Sequence, residues 1–306
     1  HLRMALKIDP DQSSAHTKIG DIYLAQEDLK AAKKEFLSAI RLNPKDRYAH
    51  QRLGIIYDRE NDTAKAIEHY EQGLRGTPPG YLGIKVDLGR LYNQTGVFQE
   101  TVDLLADLIP AESKNTTAHI VLGTAYLGLN RTEDAIREFR LARKLEPDTE
   151  RAALSLGIAY RQSGDLRRSE EELKEVVRLR PKWSTGYFQL GETYAALKDF
   201  GNAETNYRTA EKYSPNPLFI KKRRAQLYLE QKATQKAIAL YKEIIQSGNA
   251  DVNTFELLGT AYQLTGEMDL AEKTFLEMKQ KFPDNPFCNY RLGIYYGFTR
   301  QYDKAV

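Results

Sequence analysis

The sequence predicts an all-α protein built from tandem helix–turn–helix units. Three observations carry that prediction. First, a tyrosine recurs at Tyr23, Tyr57, Tyr92, Tyr126, Tyr160, Tyr194, Tyr228, Tyr262 and Tyr296, with steps of 34 residues broken once by a step of 35. Fixed periods of this size mark repeat architectures. Second, other residue types keep the same step. Third, no alternating pattern of the kind a half-buried strand needs competes anywhere along the chain.

The columns explain the helices. Most tyrosines close a short pattern of Leu or Ile, Gly, two residues and Tyr, as in LGIIY at 53–57 and LGTAY at 122–126. Leu53, Gly54 and Tyr57 fall on one helical face. Twelve residues after the glycine comes a small side chain, as in Ala32, Ala66, Ala135, Ala203 and Ala237, and four further on a large one, as in Phe36, Tyr70, Leu105, Phe139 and Tyr207. Glycine and alanine let two helices approach closely, and the large side chains fill the space beside that contact. Gly96, Gly164, Gly266, Asn61 and Asn130 lie between the two helices of their units, and these residue types tolerate the left-handed conformation that ends a helix. Prolines such as Pro44, Pro147, Pro181 and Pro283 close the units, because proline cannot continue a helix.

Composition narrows the function. The chain has 306 residues, 41% hydrophobic and 28% charged, which suits a folded helical protein rather than a disordered one. The net charge is only +3, too small for a dedicated nucleic-acid binder, so no nucleic-acid partner is expected. No apolar run approaches the ~20 residues of a membrane span. Cys288 is the lone cysteine, so no internal disulfide forms. No phosphate loop, dinucleotide fingerprint, CxxC or HExxH is present, so no catalytic residue, metal site or cofactor is expected. His16, His50 and His119 share a column one or more repeats apart, roughly 10 Å per repeat, too far for joint metal ligation. They are expected to pack. The sequons at Asn61, Asn93, Asn115 and Asn130 fall mostly at turns that favour asparagine anyway.

These columns resemble the tetratricopeptide repeat (TPR) family over the whole chain. The resemblance implies a right-handed α-solenoid, a superhelix of tandem TPR units, forming one solenoid over 1–306. Its full repeats are 13–46, 47–80, 82–115, 116–149, 150–183, 184–217, 218–251 and 252–285. Residues 1–12 read as the end of a preceding repeat, through Leu2, Ala5 and Pro10, and 286–306 as the start of a ninth. Both ends break inside a repeat, so a longer protein with further repeats or domains in the same chain is expected. Three departures stand out. Thr77-Pro78-Pro79-Gly80-Tyr81 holds the extra residue. In 82–115, Pro110 comes early, so the second helix should stop near Ile109 and leave a loop over 110–115. In 218–251, Arg224 and Ala225 replace Leu and Gly, inside the basic run Lys221-Lys222-Arg223-Arg224, which reads as a solvated face with Arg224 snorkelling; the alternatives are that Arg224 pairs with an acid in the repeat interface or marks a looser joint.

In the resembling family the first helices line a concave groove that holds extended peptides. At 100° per residue, Thr117, Ile120, Thr124 and Leu127 form a stripe nearly opposite the core stripe of Ala118, Leu122, Gly123 and Tyr126. The corresponding stripe is apolar in mid-chain, with Val86, Ile120, Leu127, Leu154, Ile158 and Phe188, and is interspersed with Arg90, Arg151 and Arg161. Trp183 lies in the turn before the Phe188 helix. Towards the C-terminal end it turns charged, through Glu192, Lys222, Glu230 and Glu256. An exposed apolar track marks a binding surface, and Trp and Arg are common interface anchors. The expected partner is a protein or peptide, an extended or helical segment that is apolar with acidic residues. The clamp for chaperone C-termini and the asparagine ladder of sugar-transferring members are absent: the first two units place Thr17, Asp21, Gln51 and Ile55 there. By family resemblance, the competing roles are a recruiting arm of a larger, glycosyltransferase-like enzyme and a periplasmic scaffold for polysaccharide export.

Overall fold

The computed structural model describes residues 13–75, 82–109 and 113–305, which form eighteen helices and no strand among the described residues. The first helices of successive repeats are α1 (Ser13–Ala25), α3 (Arg47–Arg59), α5 (Leu82–Thr95), α7 (Thr116–Gly128), α9 (Glu150–Ser163), α11 (Ser184–Ala196), α13 (Leu218–Glu230), α15 (Val252–Thr265) and α17 (Pro286–Phe298). Their partners are α2 (Leu29–Leu42), α4 (Thr63–Leu74), α6 (Phe98–Leu105), α8 (Thr132–Leu145), α10 (Leu166–Leu179), α12 (Phe200–Tyr213), α14 (Thr234–Gln246), α16 (Met268–Lys281) and the short α18 (Tyr302–Ala305). The chain divides into two compact units, His1–Ala159 and Tyr160–Val306, with the boundary inside α9. Residues 1–12, the insertion at Thr77–Tyr81 and Pro110 lie outside the described residues.

In the first unit the glycine column makes room for the large column. A Cβ on Gly54 would lie 2.7 Å from Cδ1 of Tyr70, and one on Gly123 would lie 2.6 Å from Cε1 of Phe139. The expected close approach therefore sets glycine against an aromatic ring rather than against alanine alone. Phe36, Tyr70, Leu105 and Phe139 are all fully buried. The second unit repeats the arrangement at Gly191, whose Cβ would lie 2.8 Å from Tyr207. Its core gathers Tyr228, Tyr241, Phe255, Phe275 and Tyr295.

Helix starts are capped by short acids and amides. Asp28, Asp46, Asp62 and Asn115 accept from the third backbone N–H of their helices in the first unit, and Asp165, Asp199 and Asp251 do so in the second. Between the helices of each pair one residue is left-handed. The expected Gly96, Gly164, Gly266, Asn61 and Asn130 all have φ between 58° and 86°. The same turn position is left-handed at Glu27, Lys198, Lys232 and Arg300, which carry a Cβ that disfavours it.

Two expectations are corrected. The second helix of repeat 82–115 stops at Leu105 rather than near Ile109, because the chain tightens there: the N–H groups of both Leu108 and Ile109 turn back to the Leu105 carbonyl, at 3.0 and 3.1 Å. The basic run on α13 is not a solvated face. Lys221 pairs with Glu243 at 2.5 Å, Lys222 with Asp251 at 2.8 Å, and Arg223 with Glu192 at 2.7 Å and Glu230 at 2.9 Å. Arg224 is buried. Its Nε lies 2.8 Å from Glu211 Oε1, off the line of the N–H, and its Nη2 donates to Oε2 at 3.2 Å. Burial pushes the Glu211 carboxyl up, and the Arg224 charge pulls the other way.

Candidate partner-binding face

In the first unit, the residues of the predicted stripe divide into three kinds. Val86 is buried, at 4% exposure, and offers no surface; this corrects its place in the groove. Arg90 is half-buried and forms an ion pair with Asp58, joining α5 back to α3. Its charge also acts on the neighbouring Asp87, whose carboxyl burial pushes up while Arg90 draws it down. Ile120, Leu127, Leu154 and Ile158 are half-buried, and Arg151 is exposed with no ion-pair partner among the described residues.

A cavity of about 530 Å³ opens on this face. It brings together three predicted residues, Arg90, Ile120 and Arg151, but not Leu127, Leu154 or Ile158. Its remaining lining comes from Asn93 and Gln94 at the end of α5, Thr116, Thr117, Val121 and Thr124 on α7, and Glu146, Thr149 and Glu150 around the start of α9. Asn93 donates to the Val121 carbonyl at 2.8 Å and so fixes α5 against α7. The charged side chains of its lining balance, Arg90 and Arg151 against Glu146 and Glu150, and Arg151, without an ion-pair partner among the described residues, stands beside the half-buried Ile120.

In the second unit Arg161 is engaged: its two terminal nitrogens donate to the carbonyl and side-chain oxygens of Gln189 at 3.1 and 2.8 Å. Burial draws this guanidinium down from its ordinary value, and Glu192 opposes the effect. Trp183 occupies the cap position of α11, half-buried, with the Arg180 guanidinium 5.7 Å from its ring centre. Phe188 lies on the Tyr207 ring at 5.8 Å and the Phe219 ring at 5.3 Å. Phe219 is 64% exposed and escaped the sequence reading. A signal existed: it stands where the neighbouring repeats have Thr185 and Arg151. The charged C-terminal part of the stripe is self-paired, since Arg223 and Asp251 take Glu192, Glu230 and Lys222, and Glu256 meets Arg291 at 3.4 Å.

The histidines are engaged between helices. His16 meets Glu35 at 2.6 Å, His119 meets Glu138 at 2.7 Å, and His50 meets His69 at 3.0 Å, each across 19 residues. Cys288 is buried, and burial pushes its thiol up. Among the described residues no group of three or more metal-binding side chains forms, and no helix is long and apolar enough to cross a membrane.

Paired helices, a glycine–aromatic contact in most pairs and a left-handed turn in each define a helical repeat protein with a side-chain-lined first-helix face. The tetratricopeptide repeat model matches residues 17–81, 120–182 and 188–252, and the chain belongs to that family. It is therefore an all-α solenoid of tandem TPR units, a class of protein-interaction scaffold that is generally non-catalytic. It is 22% identical over 224 residues to human tetratricopeptide repeat protein 6, covering 72% of this chain and 36% of that protein. It is 22% identical over 235 residues to the Saccharomyces cerevisiae anaphase-promoting complex subunit CDC16, covering 74% and 27%. The chain thus spans about a third or less of these relatives. A tetratricopeptide repeat protein of Parabacteroides merdae superposes with a TM-score of 0.61 at 16% identity, over 81% of this chain and 98% of that one. YrrB, described as a TPR protein with an unusual peptide-binding site, gives 0.55 at 15% identity, over 60% and 95%.

Proposed function

We propose that this chain is a non-enzymatic scaffold whose first-helix faces hold an extended or helical peptide, apolar with acidic residues. The observation that carries the reading is the first-unit cavity, where the exposed Arg151, without an ion-pair partner among the described residues, stands beside Ile120. A partner carboxylate there meets a cation that no acid among the described residues already pairs with, and an apolar side chain meets Ile120. In the second unit the Phe188–Phe219 pair offers an aromatic anchor. The peptide-binding description of YrrB supports the same reading by likeness of fold.

The test is selection of binders from a random peptide display library on the immobilised chain, followed by titration of a labelled selected peptide. Selected sequences are expected to combine aliphatic and acidic residues. Arg151→Glu should weaken a peptide held on the first-unit face by about tenfold, and Phe219→Ala one held on the second-unit face by as much, the scale of ~1.4 kcal/mol, with helicity unchanged. Equal affinity in both variants removes the face from the mechanism. A second reading, a recruiting arm within a larger protein, enzyme or periplasmic export assembly, is favoured by the greater length of the relatives. The open reading frame on either side of these residues decides it.

A further inference from the structure

Several first helices are tied to the next through one pair of positions. The residue after the glycine bonds to the residue two before the glycine, or before Ala225, of the following repeat. Asp21 meets Arg52 at 3.0 Å in the first unit; in the second, Glu192 meets Arg223 at 2.7 Å and Thr260 accepts from Arg291 at 2.9 Å. On α5 the residue two before the glycine is Asp87, the one acid in that column. Its counterpart on α3 is Ile55, which offers no such bond. Asp87 is half-buried, with no hydrogen bond or ion pair among the described residues.

Tyr70 of α4 belongs to the same corner. Its counterpart in the second unit, Tyr207, donates its hydroxyl to Glu192. Tyr70 is 1% exposed, yet its hydroxyl has no partner among the described residues, because Ile55 stands where Glu192 stands. Burial, then the Asp87 charge, then that of Asp58 push this phenol up from its ordinary value, while Arg90 draws it down. The hydroxyl thus keeps its proton beside two carboxylates. Arg90 does not neutralise the corner, since its guanidinium is bonded to Asp58. Two acids stand against one cation.

A half-buried carboxylate and a buried hydroxyl, both without partners, are costly to leave so. One kind of group satisfies both. An ammonium or guanidinium carries several N–H donors and no acceptor, and it offsets the surplus negative charge. A metal ion fits less well, because no group of three or more metal-binding side chains forms among the described residues.

We propose that this corner receives a basic side chain of the peptide partner, a lysine or an arginine, whose N–H groups bond Asp87 and the Tyr70 hydroxyl. Resting on the peptide-binding reading, this assignment adds a base to the apolar and acidic residues of the partner. Asp87 lies one helical turn from Arg90, and Arg90 lines the cavity that also holds Arg151. A base held at Asp87 and an acid held at Arg151 fix which way round the partner lies.

The test is a mutant cycle on a library-selected peptide whose binding is weakened by Arg151→Glu. Replacing the peptide's basic residue by norleucine should weaken binding by about tenfold, Asp87→Asn by as much, and the two together by no more than either alone. Tyr70→Phe puts in a ring that the column already accepts at Phe36 and Phe139, and should weaken binding by about threefold. Asp87→Asn should also raise the thermal midpoint of the free chain, since it removes an unpaired half-buried charge; a merely structural aspartate would lower it. First-unit binders that contain no basic residue overturn the proposal and leave the peptide-binding reading standing. So does an Asp87→Asn chain that holds the basic peptide as tightly as the wild type. If no selected peptide responds to Arg151→Glu, the first-unit reading falls and the proposal falls with it.

Discussion

His69 donates its Nδ1 proton to Nδ1 of His50, 3.0 Å away, across the interface of α3 and α4. The direction follows from the other end of His50, where Nε2 faces the Pro44 carbonyl at 3.1 Å and must carry a hydrogen. The ring centres are 5.2 Å apart, close to the distance of a head-on N–H···N bond. The other face of this arrangement is closed by Tyr57, whose ring stacks parallel on His69 at 5.2 Å. Two neutral rings satisfy one another; two charged rings would set proton against proton.

That geometry sets a pH dependence. Burial lowers the His69 pKa below 6.5, the nearby His50 lowers it further, and Glu68 opposes both. The unfolded chain therefore binds more protons than the native one just below pH 6.5. The stabilising contribution is full above that pH and is lost as pH falls through the lower native value. Urea unfolding of the wild type at pH 7.5 and pH 5.5 should show a loss of stability at the lower pH that is absent in His69→Gln. An identical acid sensitivity in His69→Gln refutes the assignment.

The Arg224–Glu211 pair predicts a non-additive double substitution. Arg224→Leu alone leaves Glu211 half-buried without its cation and should cost about 2 kcal/mol, less than a fully buried pair because Glu211 keeps some solvent. Combined with Glu211→Leu, most of that loss should return, since the other repeats place leucine or, in the first, Ile19 at the position of Arg224. Denaturation midpoints of the four chains measure the coupling. Strict additivity contradicts the pair as described.

Gly123→Ala should destabilise the first unit by roughly 2 kcal/mol, because its new methyl group meets the Phe139 ring inside van der Waals distance. The chain itself contains the remedy. In repeat 82–115, Leu105 stands in for the ring, and a Cβ on Gly89 would lie at a milder 3.1 Å. Adding Phe139→Leu should therefore recover part of the loss. Thermal melts of the single and double variants check this, and a double variant less stable than Gly123→Ala refutes the contact.

Much of this architecture is legible in the sequence because each column answers to a local rule. Glycine and asparagine at the turns and aromatics sixteen residues after the glycine each follow from one residue and its immediate geometry. The premature end of α6 at Leu105 is not legible, since Val102 and Leu105 continue the helical periodicity and only the observed carbonyl bonding stops the chain there. The left-handed Lys198 and Lys232 also escape notice, because the fold imposes the turn on residues with no preference for it. The candidate face was legible as a stripe but not as a surface. Helical periodicity places Val86, Ile120 and Arg151 on one side. Whether each is covered depends on what the adjacent first helix contributes, and that helix lies 34 or 35 residues away.

The inner faces of both units are laced with polar ties between consecutive first helices, through Asp21 and Arg52, Asp58 and Arg90, Arg161 and Gln189, and Glu192 and Arg223. Under the proposed function, a partner would thus meet a wall whose plus and minus signs have mostly cancelled before it arrives. Recognition would fall to contour and to side chains such as Arg151 and Phe219, so counting lysines and glutamates along this chain would misjudge what it can hold.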